Sequence, residues 1–182
     1  MTGRAEALPA LAEVFRAHGY EGASLALISR ATGLGKGSLY NLFPGGKAEM
    51  ASCVLEEIDN WFEHNLYAPL RQAERPAEAV SAMFDAVEAY FRSGRRVCLV
   101  GIVALSSERD RFGEAVRSYF ARWVAALTEA LQRSGRDAAA SAALAEEIVI
   151  QIQGAIVLAR ALDDPTVYTR AMTALKARTA AG

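Results

Sequence analysis

The chain has 182 residues, 52% of them apolar and 23% charged, so burial can offset chain entropy and general disorder is excluded. That length suits one sizeable domain, or a small module sharing a core with a larger one, and excludes more than two large domains. A formal net charge of -1 with only two cysteines and two histidines excludes a disulfide or metal framework and does not advertise a nucleic-acid binder, so any such role rests on where the charges fall.

The N-terminal stretch carries Glu6 and Glu13 where a secretory leader needs basic residues and then an unbroken apolar run, so no export signal and a cytoplasmic location are expected. Ala7, Leu8, Leu11, Val14 and Phe15 fall on one stripe of a first helix that ends at His18-Gly19. Ser24 announces a short second helix as its N-cap; Leu25, Ile28 and Ala31 follow, and Gly33 stops it. A third begins near Gly35 or Lys36, carries Leu39, Leu42 and Phe43, and stops at Pro44-Gly45-Gly46. Three helices of these lengths make a compact trihelical unit.

Met50, Val54, Ile58, Trp61 and Phe62 keep the helical period on a longer fourth helix, from about Lys47 to a fade near Tyr67 to Pro69. Pro76 opens a fifth whose inner face is Val80, Met83, Phe84, Val87 and Phe91. Residues 97–105 are ambiguous: Val and Ile favour a strand, whereas length and lack of alternation suit a buried helix, which the helical context favours. A seventh helix carries Val116, Tyr119, Phe120, Trp123, Leu127 and Leu131; an eighth runs from Ala138 through Leu162; a ninth starts at Pro165. Residues 97–105 are too short to span a bilayer, and Gln151, Gln153 and Arg160 interrupt residues 148–162, so no membrane partner is expected. The predicted fold is all-α with about nine helices.

Residues 22–48 contain no Asp or Glu but include Arg30, Lys36 and Lys47, a local basic patch in a slightly acidic chain. Residues 24–43 supply the parts of a helix-turn-helix: two short helices with apolar inner faces and the turn Thr32-Gly33-Leu34-Gly35, where Gly33 can take positive φ and Leu34 packs inward. Gly37 and Ser38 are small enough for close approach to DNA, while Lys36, Ser38, Tyr40 and Asn41 offer groups for phosphates and base edges. Lys47, at the start of the fourth helix, is placed for a phosphate. The expected DNA-binding residues are Ser24, Lys36, Gly37, Ser38, Tyr40, Asn41 and Lys47.

Residues 12–50 resemble the N-terminal signature of TetR/AcrR regulators in the aromatic-x-x-x-Gly-Tyr end of helix one, the Gly-x-x-Lys-Gly-Ser-Leu-Tyr turn and recognition helix, and the Phe-Pro before helix four. The Phe43-Pro44-Gly45-Gly46-Lys47 form, the Arg-Val-Cys-Leu-Val segment and Ile152-Gln153-Gly154-Ala155 are similar to the LmrA/YxaF-like branch. The resemblance implies an all-helical homodimer joined through its last two long helices, an effector pocket among the middle helices, and repression of an operator on double-stranded DNA relieved by a small molecule. Ala26 and Leu27 stand where Arg and Asp are common, Gly35 where Ser is usual, and Asn41-Leu42 where a His-His pair is common, which implies fewer phosphate contacts and a shifted operator preference. The expected division is a DNA-binding domain at 1–46 and an effector-binding and dimerisation domain at 47–182.

The density of aromatic and sulfur side chains mid-body marks an apolar effector site at Trp61, Phe62, Met83, Phe84, Phe91, Cys98, Phe120 and Trp123, with Gln151 or Tyr90 as polar anchor. Helices eight and nine are apolar around most of their circumference, which points to an isologous dimer interface at Ile148, Ile152, Ala155, Ala159 and Met172. Gly33 to Ser38 superficially reads as a phosphate loop, but the first glycine of that motif would fall on Arg30. His18 and His64 lack a nucleophile constellation, so no catalytic residue, cofactor or metal is expected; an enzyme using the cavity and a DNA-free interaction module are the rival classes.

Overall fold

The computed structural model describes residues 3–180; Met1, Thr2, Ala181 and Gly182, the extremes of the two expected domains, lie outside the described residues. Among the described residues there are nine helices and no strand, as the periodicity predicts. Helix α1 (Arg4–Gly22) buries Ala7, Leu11, Val14 and Phe15. Its helical geometry breaks at Gly19, whose φ of 66° lies in the left-handed region that glycine tolerates, so the expected stop at His18-Gly19 is a kink after which turns resume. Ser24 caps α2 (Leu25–Thr32) by accepting the Leu27 N–H at 3.3 Å, and Gly33 (φ 70°) closes it. Helix α3 is Lys36–Leu42.

Helix α4 starts with Gly46–Phe62 and runs without a break through a π-helical stretch, Glu63–Tyr67, into Ala68–Gln72, longer than the apolar period alone predicts. Then follow α5 (Pro76–Tyr90) and α6 (Leu99–Ala104), which settles the ambiguous run as helix, with a 3-10 turn at Ser107–Arg109. The last three are α7 (Gly113–Arg133), α8 (Ala138–Ala161) and α9 (Thr166–Ala180). Between α5 and α6, Gly94 (φ 85°) cannot be replaced without strain, because a Cβ there would stand 2.6 Å from that of Tyr168.

The chain divides into two units. The first holds the residues up to Asn60 together with Leu99–Val116, so it extends beyond the expected head at 1–46. Its core is Leu11, Phe15, Ile28, Leu39, Phe43, Met50 and Val54, with α6 packed on α1 and the Phe112 ring edge-on to Tyr20 at 5.6 Å. Sequence order hides this partnership, because α6 lies far along the chain from α1. The second unit holds Trp61–Cys98 and the chain from Arg117 onward, with α9 packed on α8 and α5 around Phe62, Phe84, Trp123, Ile148, Ile152 and Tyr168.

Candidate nucleic-acid interface and aromatic nest

The turn between α2 and α3 is held by side chains as well as by glycine. Ser29 Oγ donates to the Leu34 carbonyl at 2.5 Å, Thr32 Oγ1 donates to the Ile28 carbonyl at 2.8 Å, and the same Thr32 oxygen accepts the Leu34 N–H at 3.3 Å. Leu34 is half-buried there. With Ile28, Leu39 and Phe43 fully buried, α3 can turn only its other side outward. That side is Lys36, Gly37, Ser38, Tyr40 and Asn41, all exposed, Tyr40 at 41%. The structure therefore brings five of the seven sequence-predicted DNA residues onto one surface, carrying a cation, hydroxyls and an amide and no acid.

The other two sit apart from that surface. Ser24 spends its hydroxyl oxygen on the α2 cap. Lys47 Nζ donates to the carbonyls of Tyr20 at 2.9 Å and Glu21 at 3.4 Å and lies 4.4 Å above the Tyr20 ring. Sequence reasoning missed Arg4. Its Nε and Nη2 donate to the Leu42 carbonyl at 3.0 and 2.8 Å, and it pairs with Glu49, 45 residues away. The Gly45 N–H that Glu49 also accepts, with Arg4 beside it, holds that carboxyl below the usual carboxylate range against the opposing effect of burial.

In the second unit an aromatic nest forms around Phe62, whose ring centroid lies 4.7 Å from Tyr119, 4.9 Å from Tyr90, 5.3 Å from Trp123 and 6.3 Å from Phe91. Trp61 meets Tyr90 at 4.4 Å, Phe120 meets Tyr119 at 4.9 Å, and Trp123 Nε1 donates to Met83 Sδ at 3.5 Å. Burial drives the Tyr119 hydroxyl well above its usual pKa, and the neighbouring Cys98 thiol and the Tyr67 and Tyr90 hydroxyls add to the effect, so Cys98 belongs to the nest as well. Tyr67, which donates to the Tyr119 carbonyl at 2.9 Å, and Tyr119 itself were not among the expected ligand residues.

Two expected ligand residues point elsewhere. Phe84 lines a separate cavity of about 350 Å³ with Val80, Leu131, Arg136 and Lys176. Gln151 donates its amide to Glu147 at 2.7 Å on its own helix, and Glu147 is paired with Arg178.

The expected dimer residues require correction. Ile148, Ile152, Ala155, Ala159 and Met172 are all buried inside the protomer, where they pack α8 and α9 into its core. The large apolar side chains that α8 turns to solvent are Ile150, Val157 and Leu158, exposed by 62, 61 and 49%, followed by Leu162 at 60%. Gly154 and Ala161 lie on the same stripe and are exposed.

Residues 7–52 match the family described as bacterial regulatory proteins, tetR family. Residues 76–174, more than half of the chain, match the C-terminal domain of LmrA/YxaF-like transcriptional regulators. The HTH-type transcriptional regulator LmrA of Bacillus subtilis (strain 168) is 26% identical over 159 residues, covering 85% of each chain. The uncharacterized HTH-type regulator YxaF of the same organism is 26% identical over 167 residues, covering 90% of this chain and 87% of YxaF. Among solved structures, a TetR regulator from Legionella pneumophila superposes with a TM-score of 0.80 at 21% identity over 94% of both chains. A cysteine mutant of the TetR family regulator CifR, complexed with 26-bp double-strand operator DNA, gives a TM-score of 0.71 at 26% identity over 92% of this chain and 94% of CifR. This chain belongs to the TetR family of bacterial DNA-binding transcriptional regulators, which are not enzymes, and carries a C-terminal domain of the LmrA/YxaF-like kind.

Proposed function

We propose that this regulator is a homodimeric repressor, released from a double-stranded operator by a small apolar or aromatic effector. The observation that carries the reading is the outward face of α3, where Lys36, Gly37, Ser38, Tyr40 and Asn41 stand exposed on a buried anchor of Leu39 and Phe43. Small residues at the start of such a helix allow close approach to a groove, and its cation, hydroxyls and amide suit phosphates and base edges. The reading includes Ser24 and Lys47, which sit apart from that face: the Lys47 ammonium serves the Tyr20 and Glu21 carbonyls and acts on the Glu108 carboxylate, and a phosphate would take its third N–H. CifR, a relative of similar fold, is known bound to operator DNA.

Dimerisation falls to the exposed stripe of Ile150, Gly154, Val157, Leu158 and Leu162, since a contiguous apolar face is otherwise an aggregation liability. Helix α8 is long and apolar enough to cross a membrane by length and composition. Its inward residues are engaged with the protomer core, and pairing the outward ones with a second copy gives an isologous dimer that carries two α3 helices, as a two-fold operator requires. A protein that reads DNA works where the chromosome lies, so the cytoplasm is the proposed compartment.

The effector belongs in the nest of Trp61, Phe62, Met83, Phe91, Cys98, Phe120 and Trp123. Trp61 and Phe62 close the regular part of α4, which begins at Gly46 just after the recognition helix. A ligand that displaces them acts on a helix of ~25 Å whose far end is joined to the reading face, and differential affinity for the two positions releases the DNA. Electrophoretic titration of the protein against the DNA upstream of its own gene, repeated across a panel of small apolar and aromatic compounds, tests this. A specific complex that one compound class dissolves is expected; a complex that no member affects contradicts the effector role.

A further inference from the structure

A helix of seven residues is marginal alone, and α3 has neither a side-chain cap at its start nor a basic residue in its last turn. Its final carbonyls have no partner within the helix and carry the negative end of the helix dipole. The cation that answers them comes from the first residue of α1. Arg4 donates twice to the Leu42 carbonyl, at 3.0 and 2.8 Å, and lies 4.9 Å over the ring of Phe43. The same guanidinium pairs with Glu49, in the first turn of α4, and the second Glu49 oxygen accepts the Gly45 N–H at 2.7 Å. Leu42, Arg4, Glu49 and Gly45 thus form one closed circuit around the turn that follows α3.

That turn also supports a reading residue. A methyl group built on Gly46 would meet the Tyr40 ring at 3.5 Å, so the ring leans over the clamped segment. Gly45 in turn leaves room for Glu49, whose Cβ would stand 3.1 Å from a Cβ at that position. We propose that Arg4, through Glu49, is a positioning residue for DNA recognition: it fixes the C-terminal end of α3, and with it Tyr40 and Asn41, without itself touching DNA. The inference rests on the DNA-reading role of α3 proposed above. It assigns the specificity-determining geometry of that helix to a side chain 38 residues upstream of its contact.

Two measurements on the full chain decide it, using Arg4→Met, Arg4→Lys and Glu49→Gln. The first is amide hydrogen exchange without DNA, which reports local opening. Residues 36–46 of Arg4→Met exchange about tenfold faster while the rest of the chain is unchanged, Glu49→Gln shows a smaller increase, and Arg4→Lys, which keeps one charged donor, recovers part of the protection. The second is affinity for the DNA upstream of the protein's own gene, measured across salt. Arg4→Met binds about tenfold more weakly with the same slope of log affinity against log salt, because no phosphate contact is removed.

Unchanged exchange in residues 36–46 overturns the clamp. So does a general rise in exchange over the whole first unit in both Arg4→Met and Glu49→Gln, which assigns the pair to fold maintenance. A slope that falls by about one unit per head in Arg4→Met makes Arg4 a phosphate contact and also overturns the proposal. If the unmutated protein fails to bind operator, the DNA-reading role falls, while the exchange measurement still decides the clamp.

Discussion

The Lys47 ammonium stands 2.9 Å from the Tyr20 carbonyl oxygen and 4.4 Å above the Tyr20 ring, so the start of α4 caps the end of α1. A lysine so engaged has a structural duty beside the DNA contact proposed for it. Lys47→Met removes two backbone hydrogen bonds and a cation–π contact, so stability falls by about 1–2 kcal/mol, read as a lower urea midpoint with an unchanged m-value. Operator affinity falls too, and the salt slope flattens by about one unit per head if the third donor serves a phosphate. An unchanged midpoint contradicts the cap; an unchanged slope removes Lys47 from the interface.

Glu63, in the π-helical stretch of α4, joins Arg71 of the same helix to Arg122 of α7. Burial raises its pKa, but the hydrogen bond from Arg122 and the charge of Arg71 outweigh burial and leave it below its ordinary 4.5. A carboxylate depressed in the folded state stabilises the fold above its unfolded pKa, and that contribution is lost as pH falls through the folded value. The melting temperature of Glu63→Gln therefore lies below that of the unmutated protein near neutrality, and the gap closes as pH falls below the ordinary carboxylate value and through the lowered folded one. A gap that stays constant with pH contradicts the pairing.

Val157→Glu and Leu158→Glu place a charge on the outward stripe of α8 without disturbing the buried side. Each is expected to yield a folded monomer by sedimentation velocity, with the helical circular-dichroism signal retained. Ile152→Ala acts on the opposite face and is expected to cost about 2–5 kcal/mol of fold stability. Persistence of the dimer in both glutamate variants contradicts the proposed interface.

Where polar and apolar residues alternate with a clear period, the sequence reads well. The stripes of α1 and α5, the Ser24 cap, the Gly33 stop and the buried pair Leu39 and Phe43 follow from spacing and backbone chemistry, and they carry the outward face of α3 with them. Helix α8 gives no such contrast. Ile148 and Ile152 on one side and Ile150 and Val157 on the other are equally apolar, so periodicity cannot choose the buried face, and the expected dimer residues fall on the face that packs into the protomer. Contacts between distant segments leave no local trace either. Arg4 on Leu42, Tyr67 on Tyr119 and Phe112 on Tyr20 depend on the finished packing.

Fluorescence anisotropy of the upstream DNA and a shuffled control between about 50 and 200 mM salt, with the unmutated protein and Lys36→Ala, decides whether the exposed face of α3 reads DNA. Tighter binding to the upstream DNA is expected, and for Lys36→Ala a weaker affinity with a salt slope reduced by about one unit per head. Equal affinity for both DNAs, with Lys36→Ala indistinguishable in affinity and slope, would contradict that role.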